Sequence, residues 1–193
     1  MKDLRARAQQ RSVSAATAEF DELFESQCDY VCHTLRRLGV RPRDVEDVAQ
    51  EVFVAVHLRF DSFDRNRSPR SWLFAFAFRA AANYRRLARH REQPSPGRLE
   101  LAAQRGSPEE SALEAEQREL LARALDTLDL GHRAAIVLCD IEQRSAPEAA
   151  ELLGVPINTV YTRVHHARRK LREALSTLRS SGGGHDGKAR RAG

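Results

Sequence analysis

The sequence predicts an all-α protein built as two small helical domains, and three observations lead there. Apolar residues recur at helical spacing through residues 17–91 and again through 109–179. No segment of useful length alternates with the period of two that a half-buried strand requires. Between the blocks, residues 92–108 carry three prolines and two glycines in a polar stretch, the composition of a linker.

Each element has its own signal. Residues 1–16 are expected to be a flexible N-terminus. Phe20, Leu23, Phe24, Val31, Leu35 and Leu38 support one or two helices ending near Gly39, a C-capping glycine. Val45, Val48, Ala49, Val52, Phe53 and Val56 form one apolar stripe, opposite a face carrying Asp44, Glu46, Asp47, Gln50 and Glu51. Ser68-Pro69 opens the next helix, with proline at a tolerated first-turn position. That helix carries Trp72, Leu73, Phe76, Ala80, Tyr84 and Leu87, and Phe74 and Phe78 widen its apolar arc. After the linker, Glu109, Glu110, Glu114, Glu116 and Glu119 make an acidic helix start. Ser145 is an N-cap that Glu148 completes as a capping box. Gly154-Val155-Pro156 breaks that helix, and Ile157 begins a longer one, which is the layout of a helix-turn-helix. Residues 180–193 read as a disordered basic tail.

Composition narrows the function. The 193 residues are 41% hydrophobic and 31% charged, with a net charge of +5. This excludes an acidic, solvating disordered chain and permits a polyanionic partner. The longest apolar run, Leu73–Phe78, is far short of a membrane span, and the N-terminus lacks an apolar signal core, so a cytoplasmic protein without direct membrane association is expected. Cys28 and Cys32 are spaced to share a helical face, but no second ligand pair follows at zinc spacing, which favours two small apolar side chains over a redox or metal site. No glycine-rich phosphate loop or nucleophile motif is present; His57 with Asp61, or His132 with Asp140, are isolated pairs of a kind common on surfaces. A protein that is not an enzyme and needs no metal or cofactor is expected.

The positive charge is concentrated. Arg79, Arg85, Arg86, Arg89 and Arg91 follow one another with no acid between them, interleaved with Asn83, Tyr84 and His90. Arginine pairs with phosphate bidentately and stacks on bases. A second cluster, Arg163, Arg168, Arg169, Lys170 and Arg172, lies on the second helix of the helix-turn-helix. At about 100° per residue, Val160, Val164, Ala167 and Leu171 fall on one arc of that helix. Asn158, Thr162, His165 and Arg169 fall opposite, flanked by Tyr161 and His166. A face that is polar at its start and cationic toward its end suits reading of a DNA major groove.

These residues resemble the sigma-70 family of bacterial RNA polymerase sigma factors. Asp44-Val45-Glu46-Asp47-Val48-Ala49-Gln50-Glu51-Val52-Phe53 is similar to the region 2.2 signature of that family. Trp72-Leu73-Phe74 through Arg85-Arg86 is similar to regions 2.3–2.4, and residues 145–172 resemble region 4.2. With only regions 2 and 4 represented, the resemblance is to the extracytoplasmic-function (ECF) group. The resemblance implies a region 2 domain at 17–91 and a region 4 domain at 109–179, joined by the linker. It implies that Asp44, Glu46, Asp47, Gln50 and Glu51 dock on the β′ coiled coil of core polymerase, with the β flap as a second polymerase contact. It implies that Asn66, Trp72, Arg79, Asn83, Tyr84 and Arg86 serve the opened −10 promoter element. The −35 duplex falls to Asn158, Thr159, Tyr161, Thr162, His165 and His166, with Arg163, Arg168 and Arg169 on phosphates. An anti-sigma factor is the implied regulatory partner. The alternative is an autonomous helix-turn-helix regulator, which leaves the acidic 44–53 helix without a purpose.

Overall fold

The computed structural model describes residues 2–91 and 112–182, with the side chains of 2–16, 89–91, 112–115, 118, 179, 181 and 182 excepted. All regular structure among the described residues is helical: α1 (Lys2–Arg37), α2 (Val45–His57), α3 (Pro69–Arg91), α4 (Ala112–Asp126), α5 (Leu130–Ile136), α6 (Ala146–Leu153) and α7 (Ile157–Gly182). Short 3-10 turns at Pro42–Asp44 and Phe60–Ser62 precede α2 and follow it, and a π turn, Val137–Ile141, extends α5. The expected linker at 92–108 lies outside the described residues.

α1, α2 and α3 pack pairwise on one another, while α4, α5 and α6 each pack on α7. The α2 stripe read from the sequence is the buried face, with Val45, Val48, Ala49, Val52, Phe53 and Val56 all inside. α1 supplies Leu23, Val31, Leu35 and Leu38, and α3 supplies Leu73, Phe74, Phe76, Ala77 and Ala81. In the second unit the buried side chains include Ala124, Ala134, Ala135, Ala149 and Ala167 around Leu128, Val137, Leu138 and Val160.

Local chemistry stops the helices where it should. Gly39 adopts φ +95°, and the bonds Val40 N–H to Leu35 O and Gly39 N–H to Arg36 O close α1 in a Schellman motif. Gly154 repeats this at φ +63°, with Val155 N–H on Ala150 O and Gly154 N–H on Glu151 O. At the start of α6 the Ser145 side chain accepts from the Glu148 N–H, and Glu148 returns the bond to the Ser145 N–H.

Two expectations need correction, and two apolar residues of the helical patterns lie exposed. The 1–16 segment, read as a flexible N-terminus separate from the first helix, is part of α1 from Lys2; it contains good helix formers and no Gly or Pro to stop α1 growing backwards. α7 continues to Gly182, into the stretch read as tail from 180. Phe24 is 41% exposed, because it lies about 100° round α1 from the Leu23 row and reaches only the edge of Phe53. Leu87 is equally exposed, lying beyond Ala81, the last fully buried residue of α3.

The two units touch through polar groups. Tyr30 Oη on α1 donates to Glu142 Oε1 at 2.9 Å, and Arg67 Nη1, before α3, donates to Glu151 Oε1 on α6 at 2.8 Å. Arg133 of α5, only 2% exposed, donates from Nε to the Arg37 carbonyl at the end of α1 and from Nη1 to Asp126 Oδ1 at 2.8 Å. A Cβ at position 39 would stand 2.9 Å from the Arg133 guanidinium, so Gly39 both ends α1 and admits this cation.

Candidate nucleic-acid interface

The acidic surface comes from α2. With its stripe buried, Glu46, Asp47, Gln50 and Glu51 stand exposed on the other side. Val54 and Leu58, 61% and 78% exposed, continue that face past the carboxylates. Asp44 departs from it. It occupies the turn before α2, half-buried, and accepts the Tyr84 phenol at 2.5 Å on Oδ2. Burial, reinforced by this bond and the Asp44 charge, pushes the Tyr84 phenol up to about 12. Two residues expected to serve different partners are thus bonded to each other.

The α3 surface is built on aromatic packing. Trp72 is half-buried, its ring 4.8 Å from Phe63 and edge-on to Phe76 at 5.0 Å. Arg79 is exposed, with its guanidinium 5.6 Å over the Phe76 ring. Asn83 and Arg86 are exposed and joined, Arg86 Nη2 donating to Asn83 Oδ1 at 2.9 Å. Asn66 lies in the exposed loop before α3, its backbone and side-chain N–H groups both on Asp64 Oδ1. Arg85 faces α1 and donates to the Leu38 carbonyl at 3.4 Å. The side chains of Arg89 and Arg91 lie outside the described residues.

α7 separates core from surface along its length. Val160, Val164 and Ala167 are buried and Leu171 packs against them. Asn158, Tyr161, Thr162, His165, Arg168 and Arg169 are exposed, Tyr161 at 58%. Thr159, Arg163 and His166 are half-buried. The Arg163 guanidinium lies over Gly131 of α5, where a Cβ would stand 3.2 Å from it. Arg168 is held by Asp140 through Nε at 3.0 Å and Nη2 at 2.6 Å, a bidentate pair that fixes the guanidinium plane. Thr162 Oγ1 donates to its own helix at the Asn158 carbonyl.

His57, His132 and Asp140 each have partners outside the pairs His57–Asp61 and His132–Asp140. His57 packs edge-on to Phe20, Asp140 holds Arg168, and His132 bonds to Asp129. Burial raises the Asp129 carboxyl but is outweighed by the His132 N–H and ring and by Lys170, which hold it below its ordinary value. Sequence reasoning missed Asp129, though an Asp three residues before a His at a helix start is a visible N-cap signal. Cys28 and Cys32 are half-buried free thiols; burial, with Cys28 alongside, pushes Cys32 up to about 11, away from thiolate reactivity. No group of three or more His, Cys, Asp or Glu among the described residues could hold a metal ion. No helix among them is long and apolar enough to cross a membrane.

Comparison with known proteins decides between the family reading and its alternative. The Sigma-70 region 2 family model matches residues 23–91, and the Sigma-70, region 4 model matches residues 118–171. The RNA polymerase sigma factor CnrH of Cupriavidus metallidurans is 32% identical over 173 residues, covering 86% of this chain and 91% of that protein. The chain belongs to the ECF group of the sigma-70 family. ECF sigma factor SigW of Bacillus subtilis is 28% identical over 172 residues, covering 84% of this chain and 90% of SigW. Among solved structures, CnrH in complex with the cytosolic domain of CnrY has a TM-score of 0.59 at 30% identity, over 86% of this chain and 94% of that one. Sigma factor RpoE of Bartonella quintana, in complex with the anti-sigma factor NepR, has a TM-score of 0.66 over 82% of this chain and 97% of that one; at 23% identity it speaks for the fold. As an ECF sigma factor, the protein is a transcription-initiation factor that directs RNA polymerase to promoters.

Proposed function

We propose that the three surfaces divide initiation among them. The exposed α2 face, Glu46, Asp47, Gln50 and Glu51, docks on the basic side of a polymerase coiled coil, with Asp44 acting from beneath by holding Tyr84. Asn66, Arg79, Asn83 and Arg86, with Trp72 and Tyr84 behind them, receive unpaired bases and phosphates of the −10 element. The α7 face reads the −35 duplex. Asn158, Thr159, Tyr161, Thr162, His165 and His166 meet base edges, and Arg163, Arg168 and Arg169 meet phosphates. The unit carrying α7 also meets the polymerase β flap. The protein acts in the cytoplasm, as a specificity subunit with no catalysis of its own. The solved complexes of its relatives with anti-sigma factors support an anti-sigma partner here as well.

The observation that carries the reading is the division of α7 into a buried apolar row and an exposed row that changes from amide, hydroxyl and imidazole groups to arginine. The reading includes a separation of the two units. Elements named −10 and −35 lie about 25 base pairs apart, on the order of 85 Å of duplex at about 3.4 Å per pair. In this reading the Tyr30–Glu142, Arg67–Glu151 and Arg133–Arg37 contacts open when both elements are engaged.

The test compares variants in holoenzyme on promoter DNA. Thr162→Ala with His165→Ala changes the preferred −35 sequence. Arg169→Ala weakens all sequences alike and lowers the salt slope by about one. Identical behaviour of the two variants refutes the assignment of roles on α7.

A further inference from the structure

Three imidazoles meet where α5 crosses α7. The His166 ring lies edge-to-face with His132 of α5, 6.3 Å between ring centres, and with His165, 5.7 Å. His132 is itself held. Its Nδ1 lies 2.5 Å from Asp129 Oδ2, and its backbone N–H donates to Asp129 Oδ1 at 3.1 Å. One carboxylate therefore caps α5 and fixes the His132 ring together. A carboxylate at Nδ1 keeps that nitrogen protonated, so the orientation and tautomer of His132 are set before DNA arrives.

The neighbours of His166 along its row also lean on α5. Arg163 lies over Gly131, and Lys170 is close enough to Asp129 to act on its charge. Positions 163, 166 and 170 follow i, i+3, i+7 and are half-buried, whereas Thr162, His165 and Arg169 are exposed. His166 thus sits at the edge of the reading face with one side against α5.

Resting on the −35 reading above, we propose that Asp129 and His132 are positioning residues for promoter discrimination, which set the ring of His166 from outside the helix-turn-helix. A ring fixed beforehand loses less conformational freedom on meeting a base edge and tolerates fewer alternatives. Asp129 is more than a cap here: asparagine caps a helix about as well as aspartate but offers no carboxylate to the imidazole.

The test uses holoenzyme on a promoter library randomised across the upstream duplex element, reading base preference from the transcripts produced. Asp129→Asn keeps the cap and removes the carboxylate; His132→Gln removes the ring. Both shift preference about threefold or more at the promoter positions that His166→Ala shifts, and Asp129→Asn adds nothing in a His166→Ala background. A purely structural loss would lower all sequences alike. The proposal is overturned, with the −35 reading intact, if Asp129→Asn and His132→Gln act uniformly or at other positions while His166→Ala shifts preference. It is also overturned if His166→Ala shifts nothing while Thr162→Ala and His165→Ala do. If none of these variants alters preference, the −35 reading itself fails.

Discussion

In the α1–α3 unit the candidate promoter residues other than Asn66 share α3 with the fully buried Phe74, and Trp72 and Arg79 rest on Phe76. In the α4–α7 unit the core around α7 is rich in alanine, and the outer row of candidate reading residues, Asn158, Tyr161, Thr162, His165 and Arg169, points away from it. The first surface depends on the packing beneath it. The second is carried on the back of a helix whose other side does the packing. A substitution in α3 therefore confounds folding with binding, whereas one on the outer row of α7 separates them.

The largest expected effect tests that contrast directly. Phe74→Ala leaves a cavity in the α1–α3 core and destabilises the protein by about 3–5 kcal/mol in urea unfolding. Tyr161→Ala, on the outer row of α7, changes stability by less than about 0.5 kcal/mol. Comparable losses from the two would break the distinction.

Next comes the buried cation between the units. Asp126→Ala strands Arg133, which burial already makes harder to keep charged and whose Nη1 bond goes to that carboxylate. Asp126 itself is partly exposed, so the expected loss is about 3 kcal/mol, at the lower end for a broken buried pair. Ser145→Ala removes one half of the α6 capping box and costs about 1 kcal/mol, read from the same unfolding curves.

The smallest effect is a pH dependence in the first unit. The Tyr84 phenol is raised from its ordinary value near 10 to about 12, by burial and by the Asp44 bond. A folded-state value above the unfolded one contributes stability fully below about pH 10, and this is lost as pH rises through about 12. Tyr84→Phe removes that part of the alkaline decline between pH 10 and 12, measured as unfolding free energy against pH. An unchanged decline contradicts the role given to the Tyr84–Asp44 bond.

What the sequence made legible follows from periodicity and capping. The six apolar residues of α2 are buried as a row, the Ser145–Glu148 box closes, and Gly39 and Gly154 adopt positive φ at helix ends. Periodicity says which face of a helix is apolar but not which helix covers it or how far the cover reaches, and Phe24 and Leu87, both part of the apolar patterns, lie at the margins of the core. Polar partners distant in sequence leave no periodic trace. Tyr84 with Asp44, Arg133 with the Arg37 carbonyl, and Arg168 with Asp140 become visible only when the helices are assembled. The residue types of the candidate site could be read in advance; the bonds that orient them could not.

Assembly with core RNA polymerase tests the central claim most directly, that α2 docks the protein while α3 and α7 address DNA. The native chain is predicted to form a stable complex with core polymerase and to start transcription at a defined promoter position. The double charge reversal Asp47→Lys with Glu51→Lys, at exposed positions of α2, is predicted to abolish the complex while lowering the unfolding free energy by no more than about 1–2 kcal/mol, the cost of setting a cation in the first turn of the helix. Undiminished complex formation and start-site selection by the reversed variant would contradict the account.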